Sequence, residues 1–271
     1  MIDVHSHVLP GIDDGTKVVE EAVEFCRLAA ERGTEILVAT PHHKPGSYQN
    51  PRDRVLENVE NLQKRLDAAG VRLRLAPGCE IFVDTDIADR IGTGELLTYG
   101  DRGRYILLEF SFQQYPVRPE DLIFRLKLAG ITPVIAHPER IRWFQEDVDR
   151  LETLVRGGAL AQMTGSSLEG TFGSRVRSIS RTMMERGCIH LIASDAHDLS
   201  YRPPGLTRAT EAAAAIVGEA AARRMVGEIP AAVVEGREVR VDPPLSAADL
   251  PKKRGGFLGL FGRSGRKRRV E

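Results

Sequence analysis

The chain has three cysteines in 271 residues, Cys26, Cys79 and Cys188. That is too few for a disulfide framework and suits a reducing compartment. No run approaches the 18 uninterrupted apolar residues of a membrane span, so no spanning helix is expected. The start, Met-Ile-Asp-Val-His-Ser-His, carries neither a basic n-region nor an apolar h-region. No signal peptide is expected there, and a cytoplasmic location follows. Net charge is missing as well, with 38 basic residues against 38 acidic ones.

That cancellation is uneven. Residues 252–271 hold eight basic residues (Lys252, Lys253, Arg254, Arg263, Arg266, Lys267, Arg268, Arg269) against Glu271 alone. This leaves 30 basic and 37 acidic residues in 1–251, a body of net −7 with a cationic tail. An acidic body argues against an extended nucleic-acid groove, because phosphate backbones need a basic surface. At 42% apolar and 28% charged, the chain can build one large core or two small ones.

The body alternates short aliphatic runs with amphipathic stretches. Strands are expected at Ile2–His5, Glu35–Thr40, Arg72–Cys79, Tyr105–Phe110, Thr132–His137, Ala159–Thr164 and Cys188–Ser194. Helices are expected over Lys17–Arg32 (apolar face Val19, Val23, Cys26, Ala30), Arg52–Ala69, Pro119–Ala129, Asp147–Arg156 and Arg175–Arg186. Asn50-Pro51 reads as a cap and first-turn proline, and Gly70, Gly130, Gly157 and Gly187 as helix stops of positive φ. An Ala-rich helical stretch runs from Leu206 to about Gly227. Seven strands alternating with helices predict a parallel α/β fold, without deciding whether it closes.

The titratable residues concentrate where such folds build sites, at the carboxyl ends of strands. Of seven histidines, six (His5, His7, His42, His43, His137, His197) fall at or just past a predicted strand end, and His190 falls inside one. Glu80, Glu109 and Asp195 close strands in the same way. His5 and His7, two apart, present both imidazoles to one side at ligand spacing. Asp195 and His197 repeat that geometry, and Asp13-Asp14-Gly15 follows either as further ligands or as an Asx turn. Of the pair His42-His43 the first is expected to face the strand ends, whereas His190 suits a satisfied core position. Singly each feature is unremarkable, but nine N/O donors at one pole imply more than one metal ion. Such donors favour manganese, iron or zinc over copper or an iron–sulfur cluster. Ions about 3.5–4 Å apart would activate water and clamp a phosphoryl group.

Eight motifs then carry a resemblance. They are Met1-Ile-Asp-Val-His-Ser-His7, Asp13-Asp-Gly15, Ala39-Thr-Pro-His-His43, Gly78-Cys-Glu80, Leu108-Glu-Phe110, Ala136-His-Pro-Glu-Arg140, Ser194-Asp-Ala-His197 and Arg202-Pro-Pro204. In this order the chain resembles the PHP superfamily of metal-dependent phosphoesterases, and within it the bacterial tyrosine-protein phosphatases of capsule and exopolysaccharide loci. The resemblance implies a distorted (β/α)7 barrel over residues 1–250, followed by a basic, flexible tail at 251–271. It implies two or three metal ions, commonly manganese, on His5, His7, Asp14, His42, Glu80, Glu109, His137, Asp195 and His197. It gives Arg140 and Arg202 the phosphate, and the substrate would be the phosphotyrosine-bearing tail of a polysaccharide-export kinase. Thr164-Gly165 and Ile141 depart from the family pattern at the rim of the site.

The implied reaction is in-line hydrolysis by a metal-activated hydroxide, without a covalent phospho-enzyme. A phenolate leaves readily, so a strong general acid is not required, and either His42 or a metal-bound water could protonate it. Cys26 and Arg32 share the C-x5-R spacing of cysteine-dependent phosphatases, but the intervening Arg-Leu-Ala-Ala-Glu is glycine-free and helical, unlike a phosphate cradle. The alternatives are a histidinol-phosphate-type or other small-molecule phosphomonoesterase, and a non-catalytic metal-bound scaffold. The tail reads as a solvated charge run or as an attachment of 252–269 to anionic lipid at the inner membrane face, with Phe257, Leu258, Leu260 and Phe261 at the interface.

Overall fold

Aliphatic runs bounded by glycine and proline become strands whose ladders are all parallel. The structure, a computed structural model, describes residues 1–84, 87, 90 and 93–246. One sheet has the order β1 (Ile2–Ser6), β2 (Ile36–Ala39), β4 (Arg74–Pro77). The other runs β3 (His42–His43), β5 (Glu80–Phe82), β6 (Tyr105–Glu109), β7 (Thr132–Ala136), β8 (Leu160–Thr164), β9 (Leu191–Ala193).

The expected second and third strands, Glu35–Thr40 and Arg72–Cys79, appear as β2 and β4, and past their ends two short strands that were not expected, β3 and β5, belong to the second sheet. Pro41, which has no N–H to give a ladder, separates β2 from β3. Gly78 separates β4 from β5, and a Cβ there would meet Val38 Cγ1 at 2.9 Å. Past the breaks the same neighbours pair again, His42 with Glu80. Glu80 therefore opens a strand instead of closing one. His190 lies just before β9, not within it. At the far margin Ser6 bridges Ala196 in parallel, the Asp195 N–H donating to the His5 carbonyl at 2.9 Å.

The helices are α1 (Val19–Glu31), α2 (Arg52–Ala68), α3 (Pro119–Leu128), α4 (Arg142–Glu146), α5 (Val148–Arg156), α6 (Gly165–Glu169), α7 (Ser174–Glu185), α8 (Thr207–Val217), α9 (Glu219–Val226) and α10 (Glu228–Glu235). The buried face of α1 is Ala22, Phe25, Cys26 and Ala29, rotated from the expected one so that Val19 is exposed. Phe25 explains the rotation, since its ring buries more apolar area than a valine. Asn50 caps nothing: its amide donates to the carbonyls of Ile12 and His42, and Pro51 is the N-cap. Gly157 keeps a negative φ, and Gly158 supplies the left-handed turn. Helix continues past Gly227 into α10, whose Ile229, Val233 and Val234 are buried.

One core cluster draws on β1, β2, β4 and β6 to β9 through Val4, Val38, Ala76, Leu107, Val134, Leu160 and Leu191. Two others bury α1 and α2, and α5, α7 and α8. All the strands except β3, which is a pair of histidines, thus place apolar side chains in a core cluster. Polar side chains are left to converge beyond the carboxyl ends. The expected tail at 251–271 lies outside the described residues.

Candidate metal centre

The imidazoles that close β1 are oriented from behind. His5 Nδ1 lies 2.8 Å from Gln162 Oε1 of β8, and His7 Nδ1 lies 2.8 Å from Asp13 Oδ2. Both oxygens can only accept, so each Nδ1 carries a hydrogen and each Nε2 is the nitrogen turned to the carboxylates, free to coordinate once its proton is displaced. The two Nε2 atoms are 3.2 Å apart. His197 is held likewise, with Nδ1 3.0 Å from the Asp195 carbonyl.

Carboxylates complete the cluster. Glu80 Oε2 stands 3.3 Å from His5 Nε2, 3.4 Å from His7 Nε2 and 3.0 Å from His42 Nδ1. Its Oε1 is 2.9 Å from His137 Nε2. Asp195 Oδ1 approaches His5 and His7 at 3.4 and 3.5 Å. Asp14 Oδ1 is 3.5 Å from both His42 Nε2 and His197 Nε2, and Glu109 Oε2 is 3.8 Å from His42 Nδ1. All nine side chains singled out in the sequence therefore lie in one cluster. His43 turns away, its Nδ1 3.0 Å from the Asn50 carbonyl.

The cluster has the chemistry of a cation site. Three sets of donor atoms converge closely enough to share an ion: His7, Asp14, His42 and His197; His5, His7 and Glu80; and His42, Glu80 and Glu109. Glu80 Oε2, His42 Nδ1 and His137 Nδ1 are buried without a hydrogen-bond partner, a costly state that a coordinated cation would relieve. Burial works to raise the Glu80 carboxyl, but His5 and His42 and the His137 hydrogen bond hold it well below the usual range. Burial and the neighbouring Glu80 push the Glu109 carboxyl up to about 7. Burial and the like charge of His7 lower His197 to about 2. The donors fit divalent cations of the borderline class.

Backbone geometry contributes too. His137 and Asp195 sit at φ 32° and 52°, a left-handed conformation that is costly outside glycine and concentrates at functional sites. Gly15 is required for a different reason: a Cβ there would lie 1.8 Å from the His7 carbonyl oxygen. Arg140 and Arg202 both bond Asp195 Oδ2. The Arg140 guanidinium also lies 4.7 Å from the Phe172 ring centre and 5.4 Å from that of Phe112. The two arginines, the cluster apart from His5 and His7, and Lys44, Ser47, Tyr48 and Phe112 line a cavity of about 250 Å3. Tyr48 stacks on His42, and Phe112 on His137.

Sequence reading missed Gln162, Tyr48, Phe112 and Phe172 and left Asp13 undecided. Asp13 is both an Asx turn, Oδ1 accepting from the Gly15 N–H, and the partner of His7. Its place before Asp14-Gly15 was the only signal available. Cys26 lies fully buried in α1, and burial pushes its thiol upward. Arg32 donates to the Pro204 carbonyl. The C-x5-R pair builds no phosphate cradle.

Comparison with known proteins places the chain in a family. Residues 1–235 match the family described as Capsular polysaccharide synthesis, CpsB/CapC. Tyrosine-protein phosphatase YwqE of Bacillus subtilis is 40% identical over 202 residues, 74% of this chain and 79% of its own. The putative tyrosine-protein phosphatase CapC of Staphylococcus aureus is 36% identical over 203 residues, 75% and 79% of the two chains. Among solved structures, one described as YwqE from Bacillus subtilis and CpsB from Streptococcus pneumoniae, unique metal-dependent tyrosine phosphatases, superimposes with TM-score 0.86 at 35% identity. It covers 90% of this chain and 98% of that one. The lactonase Lmo2620 from Listeria monocytogenes, at TM-score 0.51 and 13% identity over 86% and 94% of the two chains, shares the fold alone. The chain belongs to the CpsB/CapC family of capsular polysaccharide synthesis.

Proposed function

We propose that this chain is a metal-dependent protein-tyrosine phosphatase with its ions on His5, His7, Asp14, His42, Glu80, Glu109, His137, Asp195 and His197. The observation that carries the reading is the convergence of these donors beneath two guanidiniums in one cavity. Kinship with named tyrosine-protein phosphatases at 36–40% identity supports it. We infer manganese as the metal, in two or three ions, with iron or zinc as the others that suit the donors. We also infer that residues 1–250 form one PHP-type domain, a distorted (β/α)7 barrel. The parallel order of the strands and the Ser6–Ala196 bridge support this.

Bound ions of this kind supply Lewis acidity and bring the ionisation of water near neutral pH. The protein's own side chains do the rest. Arg140 and Arg202 present planar donors to the non-bridging phosphate oxygens, exchanging Asp195 Oδ2 for them. Phe112 and Phe172 fix the Arg140 guanidinium from its faces. Tyr48 and Phe112 offer flat walls to a phenyl ring. For the proton to the departing phenolate we infer His42, partly exposed at the cavity, through the ring nitrogen that holds no ion.

The substrate we infer is the phosphotyrosine-bearing tail of a polysaccharide-export kinase, met in the cytoplasm at the inner membrane face. The basic sequence of 252–269, with its four large apolar residues, supports attraction to anionic lipid there. Among the described residues no helix is long and apolar enough to cross a membrane. The test is turnover of a phosphotyrosyl peptide, histidinol phosphate and single-stranded DNA side by side. The peptide should exceed both others in kcat/KM. A preference for histidinol phosphate would point instead to a small-molecule phosphomonoesterase.

A further inference from the structure

The cavity over the cluster does not end at Arg202. On the far side of that residue lies a groove of about 440 Å3 lined in part by Arg32, Thr171, Tyr201 and Arg208, with Arg202 common to both spaces.

Three observations define what the groove suits. Its charge is positive. Arg32 and Arg208 stand against Glu169, the one carboxylate among the lining residues, while Arg202 is already opposed by Asp195. That sign is opposite to the net −7 of residues 1–251. Its walls are also fixed in place. Arg32 Nη1 donates to the Pro204 carbonyl at 2.7 Å, pinning the segment after Arg202. The Asp198 carboxylate accepts from the N–H groups of Ser200, Tyr201 and Arg202, which sets the loop carrying the Tyr201 ring. Lastly, both outer groups are open to solvent: Tyr201 is 75% exposed, and the Arg208 side chain 80% exposed, 3.1 Å from Glu169.

Arg32, Tyr201 and Arg208 line the groove and not the cavity, so only a substrate extending past Arg202 would meet them. We propose that the groove is a subsite for the polypeptide beside the phosphotyrosine, and that it selects an acidic side chain there. This rests on the phosphotyrosine-protein reading above. Arg208 is the specificity-determining residue. Its guanidinium exchanges the half-buried Glu169 for a substrate carboxylate in a planar, two-point contact, and Tyr201 supports the peptide with its ring face. Arg32 acts through the Pro204 segment and is a positioning residue. Because Arg208 is well solvated, the discrimination is modest, about fivefold per charge.

The test uses the full chain loaded with manganese and three substrates: 4-nitrophenyl phosphate and two phosphotyrosyl peptides that differ only in glutamate or lysine around the phosphotyrosine. The wild type should prefer the glutamate peptide in kcat/KM by about fivefold or more. Arg208→Glu should abolish or reverse that preference, and Arg208→Ala should halve it or better. All three proteins should turn over 4-nitrophenyl phosphate equally. Affinity for the same peptides bearing a non-hydrolysable phosphonate should follow the same order. Equal kcat/KM on both peptides in the wild type would overturn the proposal, as would a preference that survives both Arg208 variants. Absence of turnover on 4-nitrophenyl phosphate as well would overturn the phosphatase reading, and the role of the groove with it.

Discussion

The two ends of the strands treat a buried histidine in opposite ways. At the carboxyl end His5 and His7 are fully buried, yet each has one nitrogen held by an acceptor and the other aimed at carboxylates. At the amino end His190 is buried alone. Its Nδ1 accepts from the Ala161 N–H, its Nε2 has no partner, and burial lowers its pKa to about 4. The first arrangement stores lone pairs and negative charge for a cation. The second keeps a neutral ring as a packing element. The difference lies in the partners, because both environments exclude water.

The sharpest way to break this contrast is at Asp195, which faces His5, His7, Arg140 and Arg202 together. Asp195→Asn should reduce kcat/KM on a phosphotyrosyl peptide by about a thousandfold or more and lower bound metal, read by steady-state kinetics and elemental analysis. Arg202→Lys comes next. A lysine keeps the charge but loses the planar two-point contact, so about a hundredfold loss in kcat/KM with unchanged metal content is expected. Gln162→Leu removes the acceptor that orients His5, and about a tenfold weakening of metal affinity in a competition titration should follow. The smallest effect belongs to the other end and concerns stability.

Unfolded, His190 takes up a proton near 6.5, whereas the fold resists protonation down to about 4. The neutral ring therefore contributes no penalty above 6.5, and stability is lost as pH falls from there toward 4. Between pH 7 and pH 5 this amounts to about 2 kcal/mol. Denaturant melts of His190→Gln and wild type at the two pH values should differ by that amount in their pH dependence. Catalysis at pH 7 should be unchanged.

Much of the carboxyl end was legible because its residues follow strand periodicity. His5-x-His7 and Asp195-x-His197 are local patterns, and each sits where an aliphatic run stops. The breaks at Pro41 and Gly78 were not legible as breaks. The strands beyond them are two and three residues long, too short for a hydropathy pattern, so β3 and β5 were not expected and Glu80 was set at the close of a strand instead of the opening of one. Gln162 was invisible for another reason: it lies 157 residues from the His5 it orients, and its neighbours in sequence are apolar. The aromatic walls were missed alike, since Phe112 and Phe172 belong to separate loops and meet only over Arg140. The face of α1 was misjudged because counting apolar positions gave Val19 the weight that Phe25 carries in the packed structure.

We infer that this cluster works by holding metal ions. This is tested most directly by stripping the protein with a chelator and following phosphate release from a phosphotyrosyl peptide as manganese is returned. Release should fall to background on stripping and return in step with bound manganese in the wild type, but not in His7→Ala. Turnover that persists undiminished in the stripped protein would contradict it.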